Sequence, residues 1–177
     1  MVYIFASTSK VSFSGSGIAA IAASEKNLAD IRKTMTIQTI GYDKINQLRH
    51  VRYFKDINGL RAQMKKEADI LRPKFEAVIS TLEAELSGLG IGEWIKPKGG
   101  YFISFNQKGC AKRIVSLCKE AGVVLTGAGA SFPHGVDPED ENIRISPTFP
   151  TEEELQKAMD VFVCAAKLAA AEQALAK

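Results

Sequence analysis

One lysine stands in a loop of hydroxyls and glycines near the start of the sequence. Lys10 follows a β-favouring run at residues 2–6 and lies in the segment 7–17, which holds five serines, one threonine and two glycines. A lysine amine that loses its proton attacks a carbonyl carbon and forms a Schiff base. The crowded hydroxyls and glycines indicate an anion held close to that nitrogen. The pattern therefore predicts imine chemistry with a phosphorylated aldehyde.

An arginine interrupts an apolar run near the end of the chain. Arg144 lies within residues 142–146, where Ile143 and Ile145 flank it in a strand-like alternation. A guanidinium in a cleft binds a carboxylate through two parallel hydrogen bonds, although the alternation also permits a side chain that only faces solvent. Together with Lys10, a carboxylate-binding Arg144 indicates an amino-acid or keto-acid substrate.

Three other interpretations of the motifs are weaker. A phosphate-binding NTPase loop needs a glycine before its lysine, and none precedes Lys10. Gly15, Gly17 and Ala20 match the dinucleotide pattern G-x-G-x-x-A, but the preceding strand ends about eight residues too early. The two histidines have no acid or nucleophile partner at an assignable position, so a catalytic triad is unsupported.

The composition is that of an ordinary globular protein. Of the 177 residues 46% are hydrophobic, and the net charge of +3 is too small to indicate nucleic-acid binding. The three cysteines lack C-x-x-C spacing, which favours free buried thiols in a reducing compartment and gives no metal site. No apolar run approaches the length of a membrane span, and the start does not resemble a signal peptide. We therefore expect a cytoplasmic protein with neither a membrane nor a nucleic acid as partner.

Hydrophobic periodicity predicts an α/β chain. Strands are expected at residues 2–6, 17–23, 93–95, 101–105, 123–126 and 143–146. Helices are expected from Ser24 to Gly41, at residues 45–54, 60–86 and 111–121, and after Pro150. Thr151 and Glu154 stand in capping-box register at the start of the last helix. Pro73 is expected to kink or divide the longest helix.

The first predicted strand begins directly after Met1 and leads into the Lys10 loop. A lone strand leaves its backbone N–H and C=O groups without partners, and the chain supplies no evident neighbours for it. We therefore expect the chain to be the C-terminal part of something longer, or to pair with another chain.

Five short segments show a distinctive order and spacing. They are Ser7-Thr8-Ser9-Lys10, Gly99-Gly100-Tyr101-Phe102-Ile103, Ala121-Gly122-Val123, Asn142-Ile143-Arg144-Ile145-Ser146 and Thr151-Glu152-Glu153-Glu154-Leu155. In these segments the sequence resembles the fold-type-I pyridoxal-phosphate-dependent aminotransferases, nearest to a bacterial aspartate-aminotransferase-like branch. The resemblance covers essentially the whole chain but less than half of a full family member. It implies the end of the large-domain sheet in a partial large domain (1–55), a long linking helix (56–88) and a small C-terminal α/β domain (89–177).

The resemblance also implies a role for each candidate residue. Lys10 binds the aldehyde of pyridoxal 5'-phosphate as a Schiff base and then moves the substrate α-proton. Ser7 and Ser9 bind the cofactor phosphate, and Arg144 binds the substrate α-carboxylate. The implied reaction transfers an amino group between an amino acid, aspartate or glutamate, and a 2-oxo acid. The implied assembly is a homodimer, or a pairing with a missing N-terminal portion.

Two departures from the family pattern limit the expected activity. Many members carry a phosphate-binding arginine eight residues after the lysine, where this sequence has Ile18. The aromatic residue stacked on the pyridine ring, the aspartate at its nitrogen and the glycine-rich phosphate turn lie upstream in the family. We therefore predict that the isolated chain binds the cofactor poorly and does not transaminate efficiently.

Two other functions stay open from the sequence. Similar pyridoxal-phosphate-binding domains are fused to winged-helix transcriptional regulators, where they sense a ligand, although no basic DNA-binding helix occurs in this sequence. The other alternative is a non-catalytic remnant that serves in dimerisation, which an unpaired first strand would favour.

Overall fold

A boundary inside the longest helix divides the chain into two units. The structure is a computed structural model that describes residues 2–176. Its units are Met1–Asp69, called unit 1 below, and Ile70–Lys177, called unit 2. The division of the chain into residues 1–55, 56–88 and 89–177 stays a prediction.

Unit 1 begins with an antiparallel pair of strands, so the expectation that the first strand finds no neighbour within this chain is wrong. Strand β1 (Tyr3–Ser7) pairs with β2 (Ala19–Ala23), with Tyr3 opposite Ala23 and Ser7 opposite Ala19. Helices α1 (Glu25–Gln38) and α2 (Lys44–Phe54) follow. Ser24 caps α1 as predicted, because its side chain accepts a hydrogen bond from Asn27 N at 3.4 Å. The strand pairing places the loop that contains Lys10 in the connection between β1 and β2.

Helix α3 (Ile57–Leu86) is continuous through Pro73. Asp56 stands before its first turn and accepts hydrogen bonds from Asn58 N at 2.8 Å and Gly59 N at 3.0 Å. Such a carboxylate satisfies N–H groups that have no partner inside the helix. Pro73 therefore does not divide the helix. The kink that we predicted at Pro73 stays a prediction.

The sheet of unit 2 has one apolar and one polar face. Strands β3 (Glu93–Trp94), β4 (Ile103–Asn106) and β5 (Asn142–Ile145) form an antiparallel sheet with β4 in the middle. Because side chains alternate along a strand, the apolar residues of β4 and β5 are buried while the polar ones lie on the opposite face. Ser104 pairs with Arg144 on that polar face.

Three helices supply the rest of the core of unit 2. Helix α4 (Ala111–Glu120), helix α5 (Glu152–Leu175) and the second half of α3 contribute to one buried cluster with the sheet. The capping box that we predicted at the start of α5 is confirmed, because Thr151 Oγ1 accepts from Glu154 N at 3.2 Å and Glu154 Oε2 accepts from Thr151 N at 2.9 Å. The α/β architecture is also confirmed. The largest fully buried side chains include Leu82, Leu86, Ile103, Phe105, Ile114, Ile143 and Phe162.

The strand that we predicted at residues 123–126 is wrong. The structure has no strand there, although Val123 and Leu125 pack against the core and Val124 is 83% exposed. A strand needs a neighbour for its hydrogen bonds, and among the described residues the sheet of unit 2 consists of β3, β4 and β5, none of which pairs with residues 123–126. The alternation of apolar residues in this segment therefore predicts which side chains face the core, but it does not show that the segment forms a strand.

All three cysteines are free thiols. Cys110 and Cys118 are buried as expected, and burial raises the pKa of the Cys118 thiol to about 11. Cys164 is exposed on α5, so the expectation of burial is wrong there. Within residues 2–176 no helix has the length and apolar character needed to cross a membrane.

Candidate active site

Lys10 lies in a hydrogen-bonded turn that follows β1. The carbonyl oxygen of Thr8 accepts from Val11 N and from Ser12 N, both at 2.9 Å, and these bonds close the turn around Lys10. Thr8 is tied to the start of the second strand in two ways, because Thr8 N donates to Ile18 O at 2.8 Å and Ile18 N donates to Thr8 Oγ1 at 2.8 Å. The turn is therefore anchored where it leaves the sheet, and the Lys10 side chain is exposed.

Ser7 and Ser9 lie beside Lys10 in the same segment. Ser7 Oγ donates to Ser9 Oγ at 3.0 Å, and Ser9 N donates to Ser7 Oγ at 3.2 Å. Both side chains are exposed. The chain thus brings one amine and two hydroxyls into a short stretch of backbone, and this set of groups fits a ligand with an aldehyde and a phosphate.

A glycine permits the close approach of the two ends of this loop. A Cβ atom at Gly17 would lie 2.7 Å from Ser9 Cα and 2.8 Å from Ser9 N. Real Cβ atoms do not approach backbone atoms so closely, so a larger residue at position 17 would displace the backbone of Ser9. Gly17 therefore helps to set the position of the residue next to Lys10.

Arg144 lies on the polar face of the sheet in unit 2. Its Cζ atom is 4.4 Å from the centroid of the Phe102 ring, a distance at which the cation and the ring attract each other. Its Nε atom is buried and has no hydrogen-bond partner among the described residues. A buried donor without an acceptor is costly. A carboxylate bound at Arg144 would supply the missing acceptor.

Polar side chains continue along the same face as Arg144. Asn142 Nδ2 donates to Ser104 Oγ at 2.9 Å and to Asn106 Oδ1 at 2.6 Å. The sequence analysis missed these three residues. The signal that could have identified them is the alternation of polar residues in the runs 104–106 and 142–144, which face each other in the sheet.

Asp137 holds the segment that leads into β5. Its carboxylate accepts from Asn142 N at 2.8 Å, Glu141 N at 2.9 Å and Glu139 N at 3.1 Å. The hydrogen bond from Asn142 N, with the other backbone N–H bonds, lowers the pKa of Asp137 below its ordinary value, although burial opposes this shift. The sequence analysis missed this residue too, because the bonds depend on the folded path of the loop.

A cavity of about 990 Å³ lies in unit 2, away from Arg144. It is bounded by the end of α3, the β3–β4 edge and Lys108. Lys108 forms an ion pair with Glu139 at 2.6 Å, and the hydrogen bond and charge of Glu139 raise the pKa of Lys108. None of the four predicted site residues lines this cavity, so it is not the candidate site.

The structure brings some of the predicted site residues together. Lys10, Ser7 and Ser9 are neighbours in unit 1, whereas Arg144 belongs to unit 2. The roles of these four residues stay predictions, as does the expectation that Lys10 and Arg144 face one cavity.

Known proteins similar to this chain are aminotransferases. The family model described as aspartate amino-transferase matches residues 1–177. A protein of Mycolicibacterium smegmatis that is named as an aminotransferase is 46% identical over 173 residues, which are 97% of this chain and 40% of that protein. The crystal structure of an aspartate transaminase from Corynebacterium glutamicum superposes with a TM-score of 0.92 at 44% identity and covers 97% of this chain and 41% of the other.

A more distant structure shares the fold. An α-aminoadipate aminotransferase from Thermus thermophilus, complexed with N-(5'-phosphopyridoxyl)-L-leucine, has a TM-score of 0.75 at 20% identity over 96% of this chain. The predicted fold class, a portion of a fold-type-I transferase, is confirmed by these superpositions. The chain spans about two fifths of the length of the relatives that it matches.

Proposed function

The chain belongs to the aspartate aminotransferase family, and on that premise we propose that it is the portion of an aminotransferase that supplies Lys10 and Arg144. The reaction transfers an amino group between an amino acid, aspartate or glutamate, and a 2-oxo acid. The observation that carries the proposal is the family match along all 177 residues, which includes the amine and hydroxyl cluster at Lys10. No comparison favours the ligand-sensing domain of a winged-helix regulator or a non-catalytic remnant.

Pyridoxal 5'-phosphate is the cofactor that these residues fit. When bound, it takes up an amine at its aldehyde and withdraws electrons from the substrate Cα. Ser9 offers a hydroxyl proton to a phosphate oxygen, and Ser7, whose proton goes to Ser9, would bind the phosphate when that proton turns from Ser9 to the anion. The Ser9 hydroxyl is already an acceptor from Ser7 at 3.0 Å, so its own proton can be given to an anion.

Lys10 binds the cofactor and moves a proton. Its amine would hold the aldehyde of the cofactor and, once the substrate amine has displaced it, would lie within reach of the substrate Cα. Nζ would then accept the proton from the substrate Cα as a general base and give it up again as a general acid.

Arg144 orients the substrate. Two parallel hydrogen bonds from its guanidinium hold both oxygens of the α-carboxylate, which leaves the Cα–H bond only a narrow range of directions. The Phe102 ring, 4.4 Å from Cζ, supports one face of the guanidinium. The buried Nε–H without a partner fits this role because the substrate would satisfy it.

We propose that the isolated chain is inactive or nearly so. The ring-stacking aromatic residue, the aspartate at the pyridine nitrogen and the glycine-rich turn that the family uses are expected outside these 177 residues, in the remaining three fifths or so of the length of its relatives. Pairing with that remaining portion would supply them, and we propose that the assembly is a homodimer or such a pairing. We also propose a cytoplasmic location, which the three free thiols support.

A hybrid enzyme tests the proposed function. In the Corynebacterium glutamicum transaminase, this chain replaces the 41% that it matches, and transamination of aspartate with 2-oxoglutarate is measured. We expect activity in the hybrid and a loss of at least about 1,000-fold with Lys10→Ala, because the base and the cofactor bond both disappear. Lys26→Ala, which removes another exposed lysine of unit 1, is the matched control. A Lys10→Ala hybrid as active as the Lys26→Ala hybrid would refute the assignment.

The isolated 177-residue chain tests the proposal about the fragment. We expect no turnover above that of free pyridoxal phosphate with the same amino acid. Robust turnover by this chain alone would contradict the proposal without affecting the family assignment.

A further inference from the structure

Helix α2 turns one face towards the loop that contains Lys10. Asn46, His50, Tyr53 and Phe54 are spaced four, three and one residues apart and therefore lie on one side of the helix. We call these four residues the support face. His50 and Phe54 are the two residues of α2 that are buried.

The support face packs against Phe13, three residues after Lys10. The Phe13 ring centroid lies 5.0 Å from that of His50, 5.1 Å from that of Tyr53 and 5.4 Å from that of Phe54. Asn46 Nδ2 adds a hydrogen bond to Ser16 O at 2.8 Å. The second half of the loop is thus held against α2 by ring contacts and by a side-chain amide.

His50 makes a hydrogen bond on each side of its ring. Nδ1 lies 2.9 Å from Asn46 O, and Nε2 lies 2.9 Å from Ser12 Oγ. A carbonyl oxygen can only accept, so Nδ1 carries the proton. In the neutral ring, Nε2 can only accept, and the Ser12 hydroxyl is its donor when the single Ser12 proton points to Nε2 and not to Thr8 Oγ1 at 2.9 Å or Thr8 O at 3.0 Å. With 6% of its surface exposed, His50 has little access to water as a substitute partner.

Ser12 is the residue that closes the Lys10 turn. Its backbone N donates to Thr8 O at 2.9 Å, and its hydroxyl lies 2.9 Å from Thr8 Oγ1. The beginning of the turn is anchored to the sheet through Thr8 and Ile18. The end of the turn is anchored to α2 through the bond between Ser12 and His50. Lys10 stands between these two anchors.

We propose that His50 is a positioning residue that acts on Lys10 through Ser12. The inference rests on the proposed function, because it assigns to Lys10 the bond with the aldehyde. His50 touches neither substrate nor cofactor in this account. Its imidazole holds Ser12, and Ser12 fixes the backbone of the turn from which the Lys10 side chain projects.

Two substitutions at position 50 separate positioning from packing. His50→Phe keeps an aromatic ring against Phe13 but removes both hydrogen bonds. His50→Gln loses the ring but places an amide where Nε2 was, so the bond to Ser12 can form again. A role in packing alone predicts that Phe is tolerated better than Gln. A role through Ser12 predicts the reverse.

The readout is the reaction of Lys10 with pyridoxal phosphate in the full 177-residue chain. The amine condenses with the aldehyde and releases water, and cyanoborohydride then delivers a hydride that converts the C=N bond into a stable secondary amine. Peptide mass spectrometry gives the rate of labelling at Lys10 relative to that at Lys26 in the same sample. Urea unfolding of each variant confirms that it is folded.

We expect the unsubstituted chain to label Lys10 about tenfold faster than Lys26, because a hydrogen bond from the Ser9 hydroxyl to the phosphate raises the local concentration of the aldehyde. His50→Phe should remove most of this preference. His50→Gln should keep the labelling ratio within about threefold of that of the unsubstituted chain. Arg49→Ala, an exposed neighbour on α2, is the control and should change nothing. In a Ser12→Ala background, His50→Phe should have no further effect.

Three outcomes would overturn the inference. His50→Phe could keep the labelling ratio of the unsubstituted chain, or His50→Gln could lose more of it than His50→Phe. In the double variant, the reductions of the labelling ratio caused by His50→Phe and by Ser12→Ala could also multiply, as those of independent substitutions do. Equal labelling of Lys10 and Lys26 in the unsubstituted chain is a different result. It would remove the support for Lys10 as the cofactor lysine, and the inference about His50 would fall with it.

Discussion

The substitution Arg144→Lys tests the proposal that Arg144 binds a substrate carboxylate. Lysine keeps the positive charge but replaces the planar fork of five N–H donors with a single ammonium group. In the structure, the guanidinium stacks on Phe102 at 4.4 Å, and its buried Nε has no acceptor among residues 2–176. The substitution therefore tests the planar geometry of the Arg144 guanidinium, because the positive charge is the same in both proteins.

The magnitude follows from the number of hydrogen bonds lost. A bidentate carboxylate makes two charge-assisted bonds with Arg144, and lysine retains one. Losing one such bond costs about 1.5–3 kcal/mol, which lowers kcat/KM by roughly 10- to 150-fold. The contact with Phe102 contributes on the order of 0.5–1 kcal/mol. Because that contact exists before substrate binds, its loss lowers the stability of unit 2 and adds little to the change in kcat/KM.

The assay is steady-state transamination of aspartate by the hybrid enzyme. Arg113→Lys is the matched control, since Arg113 is also in unit 2 and also forms two bonds with a carboxylate, to Glu172 at 2.7 Å each. We expect the control to change kcat/KM by less than about twofold, because exposed ion pairs contribute little. If Arg144→Lys had an equally small effect, the carboxylate would be bound elsewhere and the reasoning would be refuted.

Three further predictions concern positions that support the two candidate sites. Gly17→Ala should destabilise unit 1 by about 1–3 kcal/mol in urea unfolding, because its Cβ would lie 2.7 Å from Ser9 Cα. Asp137→Asn should lower the stability of unit 2 most at about pH 7. The folded-state pKa of Asp137 lies below the unfolded one, so the contribution of its carboxylate is present above the unfolded pKa and is lost as the pH falls through the folded pKa. The unfolding difference between the two proteins should therefore shrink towards about pH 3. Leu82→Ala should cost about 2–5 kcal/mol in the same measurement, because Leu82 is fully buried.

Each of these substitutions has a matched control. Gly41→Ala places its Cβ in open space, so it should not destabilise unit 1. Asp160→Asn changes an exposed carboxylate on α5. Its effect on the free energy of unfolding should not show the pH dependence expected for Asp137→Asn. Leu89→Ala removes a side chain that is 52% exposed and should cost less than about 1 kcal/mol. A control as damaging as its partner would contradict the corresponding explanation.

Local patterns in the sequence identified the parts of the candidate site that depend on neighbours in the chain. The β-favouring run before Lys10 predicted β1, and the alternation around Arg144 predicted β5. Thr151 and Glu154 predicted the start of α5. These features can be predicted from the sequence because strand alternation and helix capping depend on residues only two to four positions apart.

The residues that surround and position Lys10 and Arg144 could be identified only from the folded structure. Ser12 meets His50 across 38 residues, and Asn142 meets Ser104 across the same separation. The sequence left both histidines without a role, because no spacing rule states which loop will pack against which helix. The strand expected at residues 123–126 failed for the same reason, since alternation cannot show whether a neighbouring strand is present.

The sequence by itself therefore identified the groups on which the proposed chemistry depends: an amine among hydroxyls at position 10, and a guanidinium within a strand at position 144. Only the tertiary structure decided how that chemistry is held. It set Lys10 in a turn with one anchor on the sheet and another on α2, and it placed the Arg144 guanidinium against Phe102 with a buried donor unsatisfied. The physical reason is that reactivity is a property of residue type and near neighbours, whereas orientation depends on contacts between elements far apart in the chain.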